Sequence, residues 1–345
     1  MDMTTVPQNV VKRTTGLKEN EAEHILEVKN LSVDFKVYGK TSHVLNGVSF
    51  TVKKGQRVGL VGESGCGKTT TLKAILRVLP GNAIVRSGEI LFEGEDILKM
   101  NATKLEEMRR TGAGMVFQDP SSALNPVFTI EQQMMTALKY AYNEKVPMSE
   151  LQKKAIAALK NVMLPDPKRI LESYPFQLSG GMKQRVCIAM ALAANRKLLL
   201  ADEPGTSLDV TIQDQILRLI NNLALESTLS VIMVSHSLGV IRESTSFVNI
   251  MYGGSVVESG DTKEVFHNTR HPYTKLLMEC LPKLTGEGVA EGIPGRIPDY
   301  FNPPSGCRFS PRCPYVKEIC HQQKPTMEEI SPGHHVACYC ANEVI

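Results

Sequence analysis

Gly62-Glu63-Ser64-Gly65-Cys66-Gly67-Lys68-Thr69-Thr70 fits the spacing G-x-x-x-x-G-K-[ST], and the residues on either side fit it too. Arg57–Val61 before it reads as a short buried strand. After it Leu72, Ile75, Leu76 and Leu79 recur at helical spacing until Pro80-Gly81 stops the helix. A glycine-rich turn entering a helix N-terminus aims backbone N–H groups, and the positive end of the helix dipole, at a chain of phosphates. Lys68 then reaches the terminal phosphates and the Thr69 hydroxyl takes a place on Mg²⁺. A glycine-rich turn without a ligand is the plain alternative, and the strand and helix around this one speak against it. The stretch predicts a nucleoside triphosphate site.

Around it lie 345 residues, enough for two domains or more. The net charge of +3 is too small to argue for a nucleic-acid partner without a clustered basic face. No apolar run approaches the roughly 20 residues that cross a bilayer. Met1–Glu23 is polar, mixed in charge and without a hydrophobic signal core. Residues 1–24 therefore read as a disordered tail, and the chain as cytosolic. Eight cysteines in a reducing compartment read as ligands or core thiols rather than disulfides.

Ile25–Phe35 holds two short alternating runs and reads as an edge strand, followed by a strand at Val48–Val52. Glu89–Phe92 reads as another strand, Asp96–Arg110 as a charged exposed helix, and Met115–Phe117 as a short apolar run ending at Gln118. From about residue 119 to 194 the pattern is helical, with candidates at Gln132–Ala141 and Glu150–Met163. Met182, Val186, Ala189, Met190 and Ala193 keep helical spacing after Ser179-Gly180-Gly181. Strand character returns at Lys197–Ala201 and Leu229–Val234. Asn249–Tyr252 and Ser255–Glu258 flank Gly253-Gly254, a two-residue hairpin signal. Beyond Val265 a proline-dotted stretch leads to five cysteines. Residues 266–345 read as a separate, loop-rich module small enough to want a metal or cluster as a staple.

Leu198-Leu199-Leu200-Ala201-Asp202-Glu203 is an apolar strand that delivers two acids. Such a strand holds Mg²⁺ from the side opposite the phosphate loop, which makes Asp202 the metal partner. Glu203, next along, is the candidate general base for the attacking water. His236 ends the following apolar strand. A histidine there is more often structural than catalytic, but a neighbouring place in the same sheet would point its imidazole at the γ-phosphate.

Leu178-Ser179-Gly180-Gly181-Met182-Lys183-Gln184-Arg185 decides among phosphate-loop proteins. It resembles the signature motif of the ATP-binding cassette (ABC) ATPases. The order of motifs is also theirs: phosphate loop, Gln118, signature, Asp202-Glu203, Ser207-Leu208-Asp209, His236. The resemblance covers about residues 25–265. It implies an α/β fold with a phosphate-loop NTPase core of ABC type, an antiparallel β subdomain and an α-helical subdomain at about 119–194. ATP is the implied substrate, lined by Gly62 to Thr70 with Mg²⁺ on Thr69, Gln118 and Asp202, and hydrolysed with Glu203, His236 and Gln118. Two cassettes are implied to pack head to tail. Ser179, Gly180 and Gly181 of one then face the γ-phosphate held by the other, as a second helix N-terminus can. Asp209 belongs to the loop joining the two sites. An aromatic residue stacks on adenine, and spacing from Asn30 favours Phe35 over its rival Tyr38. Gly205 stands where the family usually has threonine, which implies a change in loop flexibility alone. Cys66 occupies a position the family fills with serine or cysteine, and alkylation there is expected to block ATP binding.

Gln118-Asp119-Pro120 with Leu124-Asn125-Pro126 resembles the matching loop of the oligopeptide, dipeptide and nickel importer subgroup. His271-Pro272-Tyr273-Thr274, Ile293-Pro294-Gly295 and the run from Gly306 to Pro314 resemble its C-terminal extension. The implied function is ATP hydrolysis that powers uptake of di- and oligopeptides, with an oligosaccharide or nickel as the alternative solute. Implied partners are a second cassette (a copy or a paralogue), two membrane permease subunits and an extracytoplasmic solute-binding protein, with no nucleic acid. The implied location is peripheral, on the cytoplasmic side of the cell membrane. An ABC ATPase acting on nucleic acid is a rival, but the coiled-coil insertion or tandem cassette expected of one is missing. A regulator that binds ATP without turnover is another, and Glu203 with His236 speaks against it.

Cys307-x₅-Cys313-x₆-Cys320-x₁₇-Cys338 offers four soft ligands, with Cys340 in excess. Spacing leaves zinc, an iron–sulfur cluster and unliganded core thiols all open, because tight zinc knuckles are missing. The resemblance to peptide importer cassettes implies a structural [4Fe–4S] cluster on these four, with Cys340 able to replace Cys338. Cys187 and Cys280 read as core or half-buried thiols.

Overall fold

The computed structural model describes residues 24–142, 146–280 and 292–344. The tail expected over 1–24 lies outside them except for His24, which already belongs to the first strand. β1 (His24–Val37) and β2 (Lys40–Lys53) form a long antiparallel hairpin. β3 (Arg57–Val61) leads into the phosphate loop and the helix Lys68–Ile75. β4 (Ala83–Phe92) and β5 (Glu95–Asp96) return beside β1, giving a four-stranded sheet of order β2-β1-β4-β5. β1 is therefore internal, not the edge its sequence suggested. Its two apolar runs are one strand broken by bulges around Asn30, where φ is +49°. The inserted residue shifts the alternation so that Leu26, Val28, Leu31 and Val33 are all buried.

β6 (Ala113–Val116), β7 (Leu198–Asp202), β8 (Ser230–Ser235) and β9 (Phe247–Tyr252) join β3 in a parallel array of order β9-β3-β8-β7-β6. Every residue of β7 and β8 is buried, as parallel strands covered on both faces require. The C-terminal ends of β3, β6, β7 and β8 deliver the phosphate loop, Gln118, Asp202-Glu203 and His236 to one edge. That edge is where open α/β sheets bind ligands.

The span Asp96–Arg110, expected as one helix, is broken by its polar side chains. Asp96 accepts from the Leu98 amide at 3.0 Å and turns the chain. Asn101 accepts from the Lys104 amide at 2.9 Å and starts a shorter helix, Ala102–Glu107, which ends in a π-helical turn at Met108–Gly112. Between β6 and β7 the helices Ile130–Ala141, Met148–Asn161, Pro167–Glu172 and Gly180–Ala191 pack together. Their core includes Ile130, Met134 and Leu138 of the first and Leu151, Ala155 and Leu159 of the second, all buried. Burial of each large aliphatic side chain among them stabilises the subdomain by about 1.5–3 kcal/mol. Helices Val210–Ser227 and Leu238–Ser244 complete the cover of the parallel array.

β10 (Ser255–Asp261) turns back on β9 through Gly253-Gly254, whose φ angles of +54° and +82° suit a two-residue hairpin. β11 (Glu328–Ser331) and β12 (His334–Val336) then extend the sheet, so its full order is β11-β12-β10-β9-β3-β8-β7-β6. The C-terminal segment, read from sequence as a separate module, thus shares a sheet with the core. Glu258 fixes the joint. Fully buried on β10, it accepts from the Arg270 and His271 amides at 2.7 and 3.1 Å and lies 2.8 Å from His334 Nε2. Among the described residues no helix is long and apolar enough to cross a membrane.

Candidate active site

The phosphate loop spans the gap between β3 and the helix Lys68–Ile75. Gly67 caps that helix at φ +106°, and no side chain accepts from its first N–H groups. They remain available to an anion. A Cβ at Gly67 would come within 2.5 Å of Leu45 Cδ2, and one at Gly62 within 2.1 Å of the Met251 carbonyl oxygen, so both positions need glycine. Lys68 is buried and folds back along the loop, its Nζ donating to the Gly62 and Glu63 carbonyls at 2.8 and 3.0 Å. The Thr69 hydroxyl donates to Asp202 Oδ1 at 3.1 Å.

Asp202 and Glu203 face this loop from the end of β7. Burial pushes the Asp202 carboxyl above its ordinary pKa, against the opposing hydrogen bond from Thr69. Glu203 is 6 % exposed, at φ +49°. Its Oε1 lies 2.5 Å from His236 Nε2, and its Oε2 accepts from Gln118 Nε2 at 3.0 Å and from the Thr206 hydroxyl at 3.3 Å. A cleft of about 190 Å³ opens between the loop residues Ser64, Gly65 and Gly67 to Thr70 on one side and Gln118, Glu203 and His236 on the other. Anion-seeking N–H groups thus face a carboxylate flanked by an imidazole, an arrangement that can hold a phosphate chain and orient water at its end.

The signature residues stand elsewhere in the same chain. Ser179 caps the helix Gly180–Ala191 by accepting from the Met182 amide at 3.3 Å. Gly180 and Gly181 lie so close to Leu208 and Ile212 that a Cβ would come within 2.8 and 2.7 Å of them. Asp209 caps the helix Val210–Ser227 through the Ile212 amide at 3.0 Å. None of these lines the cleft, nor do Phe35 and Tyr38. Phe35 is half-buried on β1, while Tyr38 is fully exposed in the turn to β2.

Residues 45–206 match the family model described as ABC transporter. A probable peptide ABC transporter ATP-binding protein of Sinorhizobium fredii is 40% identical over 328 residues, covering 94% of this chain and 97% of the relative. The chain belongs to the ABC transporter ATPases. A second match, to the C-terminal region of oligopeptide/dipeptide transporters, covers residues 257–320 of this ABC ATPase. An oligopeptide transport ATP-binding protein of Bacillus subtilis is 42% identical over 315 residues, with 90% of this chain and 87% of the relative covered. The dimeric ATP-binding cassette MJ0796, in a post-hydrolysis state bound to ADP and Pi, superposes with a TM-score of 0.62 at 29% identity. That likeness takes in 69% of this chain and 98% of the other, so a large part of this ABC ATPase lies beyond it.

In the C-terminal segment Cys307, Cys313, Cys320, Cys338 and Cys340 line one small cavity, beside His271 and Phe309. No disulfide joins them. Burial raises the thiols of Cys307 and Cys340, and pushes Cys313 up to about 11 and Cys338 to about 12. Among the described residues no three His, Cys, Asp or Glu side chains are gathered closely enough to hold a metal ion. Cys187 is buried on the signature helix itself, facing the core. Two participants of the ABC ATPase site escaped the sequence reading. Thr206 bonds Glu203, and its only signal was its place just past the Glu203-Pro204-Gly205 turn. Arg312 pairs with Glu63 of the phosphate loop from 249 residues away, and no local pattern announces such a contact.

Proposed function

We propose that this ABC ATPase powers import of di- and oligopeptides through separate permease subunits, from the cytoplasmic side of the membrane, together with a solute-binding protein. The observation that carries this reading is the match of residues 257–320 to the C-terminal region of oligopeptide/dipeptide transporters. The relatives named for peptide, oligopeptide and dipeptide transport support it.

In this reading the phosphate loop binds the triphosphate through its open N–H groups and Lys68. Thr69 and Asp202, with Gln118, supply hard oxygen donors for Mg²⁺, which neutralises phosphate charge when bound. Glu203 accepts a proton from the water that attacks the γ-phosphate. His236 and Gln118, both bonded to Glu203, hold that carboxylate and sense the phosphate. Ser179, Gly180 and Gly181 complete the site of a second cassette, and Phe35 stacks on adenine.

Cys307, Cys313, Cys320 and Cys338 would hold a [4Fe–4S] cluster that braces the extension. Support comes from hydrogen bonding around the sulfurs. Backbone N–H groups of Phe309 and Ser310 point to Cys307, of Tyr315 to Cys313, of Lys317 to Cys320 and of Cys340 to Cys338. Such donors favour thiolate over thiol. Cys340 instead donates its own proton to the Tyr315 carbonyl, which supports reading it as the thiol left over. That these cysteines line one cavity supports a single shared site.

Uptake of a labelled tripeptide by cells carrying the wild-type or the Glu203→Gln chain tests the transport reading. Uptake should be lost in the variant. Intact peptide uptake with lost nickel or oligosaccharide uptake would replace the solute. For the cluster, anaerobically purified protein should be brown, with iron matching sulfide; colourless protein carrying zinc would overturn it.

A further inference from the structure

Glu63 is an electrostatic oddity, a carboxylate within a loop whose task is to receive phosphates. A negative charge left free there would repel the triphosphate through a short, partly desolvated path. The C-terminal extension removes that conflict. Arg312, whose side chain is 3 % exposed, grips Glu63 fork to fork, Nη1 to Oε2 at 2.7 Å and Nη2 to Oε1 at 3.1 Å. Its other N–H groups are also used: Nε donates to the Pro294 carbonyl at 2.8 Å, Nη2 to the Ile293 carbonyl at 2.8 Å and Nη1 to the Tyr252 hydroxyl at 3.3 Å. A guanidinium has five such protons in a fixed plane, and all find acceptors.

Two tyrosines of the extension bond backbone groups of the same turn. The Tyr273 hydroxyl accepts from the Glu63 amide at 2.8 Å, and the Tyr300 hydroxyl donates to the Gly65 carbonyl at 2.9 Å. The loop is thus held from behind at three points, while the N–H groups at the start of its helix stay open to the cleft.

We propose that the C-terminal extension is a clamp on the outer face of the phosphate loop, and that Arg312 positions the loop for ATP by neutralising Glu63 and turning it away from the phosphates. Arg312 is a positioning residue, acting through Glu63 without touching nucleotide. The proposal rests on ATP binding at this loop, which family membership carries, and is independent of the transported solute.

The test is a double-mutant cycle read by displacement of a fluorescent ATP analogue from the purified full-length chain. Arg312→Ala should raise the Kd for ATP by at least about tenfold, as expected when a partly buried carboxylate beside the phosphates loses its partner. Glu63→Gln added to that variant should restore most of the lost affinity, because the stranded charge is gone. A purely structural Arg312 would show no such rescue. KM for ATP should rise far more than kcat falls. Should Arg312→Ala not fold, Arg312→Lys, with the charge kept and the fork lost, carries the same comparison with and without Glu63→Gln. ATP affinity unchanged by loss of Arg312, or a loss that Glu63→Gln deepens, overturns the proposal.

Discussion

Glu203 holds φ at +49°, a region that costs a non-glycine residue about 1–3 kcal/mol. His236, Gln118 and Thr206 bond its carboxylate and keep the side chain aimed into the cleft. Backbone strain retained under such restraint fits a residue placed for chemistry. Glu203→Gln keeps the shape and most of the hydrogen bonding while losing the proton acceptor. It should bind ATP as the wild type does and lose phosphate release by at least about 100-fold. Release at the wild-type rate would remove the base assignment. Cys66 lies two residues before Lys68, and its burial slows the alkylation that is expected to block ATP binding. It is 2 % exposed, and burial raises its thiol pKa despite nearby Lys68. Because the thiolate is the nucleophile, a raised pKa means little reactive form at neutral pH and a rate that climbs with pH through 9 without levelling. Iodoacetamide labelling followed by mass spectrometry should show that climb, with ATP binding lost in proportion to the adduct.

Among the elements, legibility followed locality. The phosphate loop, the acid-ending strand β7 and the Gly253-Gly254 hairpin were readable because each has its cause within a few residues. Two-sided burial writes β7 and β8 as unbroken apolar runs. The position of β1 inside its sheet was not readable, since its neighbour β4 lies beyond the phosphate loop and a bulge hides the alternation. The helix Val210–Ser227 carried its signal in Ile216, Leu217, Leu219, Ile220 and Ala224 and went unassigned. The pairing of β12 with β10 has no local signature at all; it depends on Glu258, where one buried carboxylate answers two amides and the His334 imidazole. Glu258→Ala strands those donors in the interior and should cost about 3–5 kcal/mol. A lower melting temperature with early proteolysis beyond residue 258 is the expected result. His334→Ala should do less, because the two amides keep their acceptor.

At the scale of the whole molecule, the cleft is incomplete by itself. It has the phosphate loop, Glu203 and the imidazole, but the helix start at Ser179, proposed as a second anion-binding end, does not line it. A ring of charge as dense as a triphosphate calls for donors on the open side as well. If a second cassette supplies them, two defective chains should repair one another. Lys68→Ala removes the cation of the phosphate loop and leaves the signature whole. Ser179→Asp keeps a side chain that caps the helix well, so the fold stands, yet aims a negative charge at the partner's γ-phosphate. Each variant alone should be almost inactive. Mixed at equal amounts, half the pairs combine both chains and hold one whole site each, so about a quarter of wild-type hydrolysis should return if sites act independently. Wild-type hydrolysis with no recovery in the mixture would mean that each chain completes its own site, and would sink the head-to-tail arrangement.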